Sequence, residues 1–499
     1  MWRWCYCWAN GSWICSRNKI GDKMKSKLKL KVDKRSIVTT SLWVILSILI
    51  ISLIVLSSKH FRIDWNQNRG FDTVLEYGGV KDVYLARSDG SGGLRVYALT
   101  MTLGMLVAIG FSLYNFNKKD LSISELAIGV IFIIPCSLLG ASFFGKLNAD
   151  GIGRHANGAT FWGLFAFWEG GLAIHGGVYV GSIVGLIIFY IIGRKTKVSL
   201  LVYADCIIPN ILLGQAIGRW GNFFNHEVLG TPVAKIADNI SSHTDKAIDQ
   251  IFSTYLQTHS RPLFLPDFIL KNCLSIYSGE TQTINNITLE NGNVVLLSPI
   301  FIYESIALLL GWFVIMFIIP NVWKLFVKPI DKNNNVYKID YKFSFYQFFN
   351  PWLKSTQTKL SSKDAWKKAL NDNVYENASE IYINKTSDLD NKKYWEKRVI
   401  ESHLLNKLNN KNNYPITKAG VQMFAYFLVW NIVRYVLESQ RPSDHLFIMH
   451  LKNLSLFVIG FSAIIGLIGM IVCQYGLPNI SRKPGWLYEV EYFKIRKSN

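Results

Sequence analysis

A chain of 499 residues that is 50% hydrophobic, only 18% charged and carries a formal net charge of +20 is too apolar for an ordinary soluble protein of its length. The positive excess does not mark a nucleic-acid binder, because no basic face with aromatic or motif support accompanies it. Seven cysteines without a CxxC pair imply neither a zinc ribbon nor a disulfide framework.

In chain order, residues 1–35 form a basic extension that opens on the Trp/Cys-rich MWRWCYCWANGSWICSR. The uncharged run 36–58 is longer than a signal-peptide core and lacks an A-x-A site, so it reads as an uncleaved anchor. Residues 59–95 end in the flexible SDGSGG. Spans 96–117 and 126–145 follow, joined through NKKD, and ATFWGLFAFW at 159–168 reads as an interfacial piece within the mixed stretch 146–170. Spans 170–193 and 198–218 are linked by RKTKVS, and the second contains Asp205. The polar stretch 231–298 forms a head, and a further span at 299–323 holds Glu304. The Lys/Asn-rich segment 322–418 reads as a solvated accessory insert with helical pieces, Ser361 and Asp364 forming a helix cap. Apolar runs 419–433 and 453–481 precede the tail 482–499.

Each of the eight apolar runs is about the ~20 residues that cross a bilayer as a helix, or close to it, and lipid leaves the backbone little alternative to helix. The fold class is therefore an all-α integral membrane protein. Lys and Arg are about three times denser in 1–35, 115–121, 194–199 and 482–499 than in 59–95, 146–170, 231–298 and 438–453. That bias places the first set, with the insert, in the cytoplasm and the head outside.

In that topology four segments bring polar side chains to the outer headgroup level. They are His175 in WEGGLAIHGGVYVG; Arg219, Asn222, Asn225 and Glu227 in GRWGNFFNHEVLG; Tyr303 and Glu304 in SPIFIYES; and Arg434 with Glu438. Ionisable groups at membrane depth are expensive and usually functional. Singly, each has a plain reading. The arginines can mark helix ends, Arg434 and Glu438 can be an i,i+4 pair, Tyr97 and Tyr303 can be belt aromatics, and Asn222 and Asn225 can cap a helix. Together they describe one site. Two guanidinium forks suit phosphate, Glu227 and Glu438 can orient the forks, and His175 can move a proton near neutral pH. The combination suggests chemistry on a phospholipid headgroup.

The first three of these motifs, with the R-x-x-x-E-x-x-R of Arg434, Glu438 and Arg441, resemble the bacterial phosphatidylglycerol–prolipoprotein diacylglyceryl transferases over roughly 95–230, 299–321 and 419–475. The resemblance implies a seven-helix core, here with one extra N-terminal transmembrane helix, an outer head and a cytoplasmic insert. It implies transfer of diacylglycerol from phosphatidylglycerol to the lipobox cysteine of a prolipoprotein signal peptide, with glycerol 1-phosphate leaving and no cofactor or metal. It implies that Arg219 contacts the lipid phosphate with Arg434 assisting, and that Asn222, Glu227, Gly230 and Tyr97 occupy positions the family needs. His175 is then a candidate base for the thiol, and Tyr303, Glu304 and Glu438 belong to the lipid site. The chain departs from the family pattern at Ser142, Ser298 and Trp430, where the family often has arginine, histidine and tyrosine. Two other readings compete. A secondary transporter would line a path with Asp205, Arg219, Glu227 and Arg434, although no internal repeat supports one. A non-catalytic lipid-binding scaffold would draw on the Ser142 and Trp430 departures.

Overall fold

A computed structural model describes residues 96–148, 161–167, 172–225, 228–238, 245–277, 280–349, 355–356, 359–439 and 451–495, with scattered positions 41, 45–46, 48–52 and 448. The anchor at 36–58 and the extension before it therefore lie largely outside the described residues, as do Glu227 and Arg441.

Among the described residues six helices are long and apolar enough to cross a membrane. They comprise α1 (Val96–Lys118), α2 (Ile123–Asn148), α3 (Ile174–Thr196), the pair α4 (Leu200–Ile207) and α5 (Asn210–Asn225), then two further helices later in the chain. With no hydrophobic drive between helices in lipid, close approach depends on small residues. Gly104 of α1 and Gly214 of α5 show this: a β-carbon on Gly104 would collide with the Gly214 carbonyl oxygen.

The span read as 198–218 is broken at Pro209, which lacks an N–H and separates α4 from α5. The carbonyl of Cys206, left at the break, accepts from the amides of Asn210 (2.9 Å) and Asn115 (3.1 Å). Asn210 also donates to Ser112 and accepts from the indole of Trp312. The break is thus sealed by side chains inside the bundle.

The described residues between 232 and 297 fold into a small head. Its antiparallel sheet has the order β1-β5-β2, from β1 (Pro232–Ala237), β2 (Leu274–Ile276) and β5 (Val294–Leu297). A hairpin of β3 (Gln282–Ile284) and β4 (Ile287–Leu289) turns through Asn285 and Asn286, both at positive φ, as a tight two-residue turn requires. Two short helices, α6 (Asp245–Thr258) and α7 (Asp267–Asn272), cover this sheet, and the head core joins Phe223, Phe224 and Phe301 at the membrane end. The sequence reading offered no strands here, because each is only three to six residues long.

The chain returns as α8 (Ile300–Phe313), extended by a π-helical turn at Val314–Ile318. The insert follows with α9 (Tyr341–Phe349), α10 (Ser362–Asn371), α11 (Ala378–Thr386) and α12 (Tyr394–Leu408). The expected Ser361 cap is present, its hydroxyl accepting from Asp364 N–H at 3.2 Å. Then come α13 (Val421–Glu438) and α14 (Lys452–Ile471). α13 carries Gln422, Asn431, Arg434 and Glu438, so it is more polar than the six spans, although it packs among them.

The insert packs against the tail. Ala378, Tyr382, Leu405 and Leu408 share one core with Tyr488 and Tyr492 of the tail. Glu489 anchors this joint, accepting from Lys418 (3.0 Å), Arg482 (2.7 Å) and Tyr492 (2.9 Å).

Candidate functional site

Arg219 stands on the last turns of α5, and its Nη2 lies 2.7 Å from Oε1 of Glu304 in the first turns of α8. The Glu304 side chain is only 1% exposed, so the pair sits in a largely desolvated place where removing either member would strand a charge. On α13, Arg434 Nε lies 2.9 Å from Glu438 Oε2, both side chains being buried. Ser455 of α14 donates to the other Glu438 oxygen at 3.1 Å. Arg434 also interacts electrostatically with Glu304 and Arg219. Three helices and a fourth behind them thus gather two guanidinium groups and two carboxylates at one end of an apolar bundle.

The end of the Arg219 segment is joined to the start of the Glu304-bearing α8 by backbone. Gly230 N–H donates to the Ser298 carbonyl (2.8 Å), Ser298 N–H to Thr231 (3.0 Å) and Phe301 N–H to Val228 (3.2 Å). A β-carbon on Gly230 would lie 2.7 Å from Cδ1 of Ile300. Glycine is therefore what lets the end of the GRWGNFFNHEVLG segment reach the start of α8. Val228 holds a left-handed φ of +60°, a conformation that costs a β-branched residue on the order of 1–3 kcal/mol. That strain is retained beside the site, and no feature of the sequence announced it.

The remaining sequence candidates fall out as follows. Asn222 is buried one turn beyond Arg219. Tyr97, at the start of α1, packs its ring against Gly221, so α1 closes one side of the Arg219 helix. Tyr303 is half-exposed and hydrogen-bonds Ser298. His175 begins α3, and its side chain, like those of Asn225 and Glu227, lies outside the description. Val178, one turn on, packs with Ala216, Tyr426 and Trp430, which sets the start of α3 against α5 and α13. The orienting carboxylates expected for the forks were those of Glu227 and Glu438. The described partner of Arg219 is Glu304 and that of Arg434 is Glu438, while Glu227 lies outside the described residues.

The three departures from the family pattern each have a structural role. Ser142 is fully buried and donates to the Leu164 carbonyl at 2.8 Å. One turn later Lys146, also buried, donates to the carbonyls of Gly163 and Ala166. The Phe161–Phe165 turn is thereby tied to α2, with Phe161 and Trp162 exposed. Trp430 stacks on Tyr426 at 5.8 Å. Ser298 ties the head to α8.

Asp205, the other acidic group at membrane depth, does not face this cluster. Its carboxylate accepts from Gly420 N–H (2.7 Å) and Met423 N–H (2.8 Å), capping the N-terminus of α13 from another helix. A charged path through Asp205, Arg219 and Arg434 is thus not supported.

The sequence model of the prolipoprotein diacylglyceryl transferase family matches residues 86–336. Relatives named phosphatidylglycerol–prolipoprotein diacylglyceryl transferase include one from Oceanobacillus iheyensis, 30% identical over 44% of this chain and 60% of its own length. One from Malacoplasma penetrans is 37% identical over 32% of this chain and 49% of its own. One from Mycoplasmopsis pulmonis is 29% identical over 50% and 65%. The chain thus spans 49–65% of the length of these curated relatives.

Proposed function

Because the chain belongs to the prolipoprotein diacylglyceryl transferase family, we propose that it moves the diacylglyceryl group of phosphatidylglycerol to the lipobox cysteine of a prolipoprotein signal peptide. The observation that carries this reading is the buried pairing of Arg219 with Glu304 beside that of Arg434 with Glu438, at one end of a membrane-spanning bundle. In this reading that end faces the outer leaflet of the cell membrane, as the Lys/Arg asymmetry of the loops indicates.

The chemistry follows from the charges. The acceptor thiolate attacks the glyceryl carbon that carries the phosphate. A carbon–sulfur bond forms, the carbon–oxygen bond breaks, and its electron pair stays on the oxygen of departing glycerol 1-phosphate. The thiol proton passes to a base, the role assigned to His175. The leaving phosphate gains negative charge as the bond breaks, so cations beside it stabilise the transition state more than the bound lipid. A guanidinium has five N–H donors in a fixed fork, and one carboxylate occupies at most two. Glu304 and Glu438 therefore hold the forks of Arg219 and Arg434 in place and leave donors for a phosphate. Asn222, Gly230, Tyr97 and Tyr303 shape the headgroup's surroundings, and Glu227 completes the segment.

The direct test is Arg219→Ala in purified protein reconstituted with phosphatidylglycerol. Transfer to a lipobox peptide should be abolished while the protein remains inserted. Retained transfer would place the phosphate elsewhere and overturn the assignment.

A further inference from the structure

The insert's first helix, α9, is packed with its polar side toward the protein. Ser344 donates to the Asp340 carbonyl (2.7 Å) and accepts from Ser362 N–H (2.8 Å). Gln347 donates to Asp364 of α10 (3.2 Å). At helical spacing, the opposite face then presents Tyr341, Phe345 and Tyr346, which are 59–75% exposed. Leu325 and Phe326, a few residues past the end of the α8 span, are 81% and 79% exposed. An apolar face of this kind turned away from the protein calls for a partner.

Its place in the fold says which. α10, on which α9 packs, is seated beneath the bundle. Its Trp366 meets Trp323 at the foot of α8 with ring centroids 4.8 Å apart. Its Lys367 lies 3.2 Å from Asp120, in the turn between α1 and α2. These contacts place α10, and α9 packed on it, beside the ends of α1, α2 and α8 that lie away from Arg219. Charge agrees. Lys328, Lys338 and Lys342 are exposed around the face. Lys324 feels the charge of Lys118, which in turn feels Lys119 and Lys363. Burial and that like charge push the Lys324 amine down to about 8. Exposed lysines beside an apolar face are drawn to anionic headgroups.

The geometry points to α9, with Leu325, Phe326 and the lysines around them, as a docking surface for an anionic bilayer leaflet, the aromatic face lying within the headgroup layer. An interfacial helix with aromatics below and lysines at its edges has this pattern. The insert is then a second membrane contact of the protein, separate from the lipid that reacts.

The test uses the full chain in nanodiscs containing phosphatidylglycerol, its native cysteines replaced. An environment-sensitive fluorophore is placed at Phe345→Cys, with Tyr341→Cys as a second report should the first variant fail to insert, and Lys385→Cys as the solvated comparison. We expect blue-shifted emission at 345 and several-fold stronger quenching by headgroup-region nitroxide lipids than at 385. The contrast should fall at least twofold in zwitterionic discs or in the Lys328→Gln, Lys338→Gln, Lys342→Gln variant. Solvent-like emission at 345 would overturn the inference. So would a blue shift without lipid quenching, which would show that a protein surface or a second copy covers the face. Lipid quenching that ignores both headgroup charge and the lysine substitutions would overturn the anionic part of it.

Discussion

Arg219 and Glu304 lie 2.7 Å apart, but a gap of more than eighty residues in sequence separates them. Breaking such a pair by removing one member strands the other in a dry setting. Glu304→Gln should therefore lower kcat for transfer about 100-fold, the scale on which a misplaced binding group acts, while insertion into the membrane is unchanged. An unaltered kcat would show that Glu304 only packs the helix ends. Arg219→Lys keeps the charge and loses the fork, so transfer should still fall about 100-fold or more; near-normal transfer would mean that a point charge suffices. The sequence made both arginines legible, since cations at membrane depth stand out. It did not reveal which carboxylate serves which fork, because Glu227, Glu304 and Glu438 are equally plausible partners until the helices are packed. Ser455, behind Glu438, carried no signal at all, being one serine in an apolar helix.

At the scale of elements, the spans were readable because lipid imposes length and apolarity. Their joints were not. The break at Pro209 and the capping of α13 by Asp205 each depend on contacts between distant segments. Asp205→Ala should cost about 2 kcal/mol, the upper range for loss of a helix cap, seen as lower thermal stability in detergent with the Arg219 site still intact. No change in stability would contradict the capping role. The head's strands escaped the sequence because they are short and their pattern is weak beside the spans. The tail gives a pH prediction. Arg482 and Lys418 hold the buried Glu489 carboxyl down to about 2, against the penalty of burial. A depressed carboxyl contributes stability that is complete above the ordinary carboxylate range and is lost as pH falls toward the depressed value. The joint between insert and tail should thus loosen between about pH 4.5 and 2, read as increased amide exchange across 402–408 and 486–493. Glu489→Gln should cost about 3 kcal/mol at neutral pH and flatten that pH response. Wild-type dependence in the variant would assign the titration to another group.

The described residues divide between the two ends of the helical bundle. One end carries the head and the two arginine–glutamate pairs, and the other carries the insert and the tail bound to it. The composition announced the membrane, and the charge asymmetry of the loops supplied an orientation. The insert's composition left its packing open, and the buried joint with the tail supplies it, since composition does not report what a helix packs against. The central claim is the transfer reaction itself. Purified protein in vesicles of phosphatidylglycerol labelled in its diacylglyceryl group is given a lipobox peptide with cysteine and the same peptide with Cys→Ser. The account predicts label on the cysteine peptide as a thioether, with glycerol 1-phosphate released in equal amount and no label on the serine peptide. No product from the cysteine peptide, or equal product from both, would contradict it.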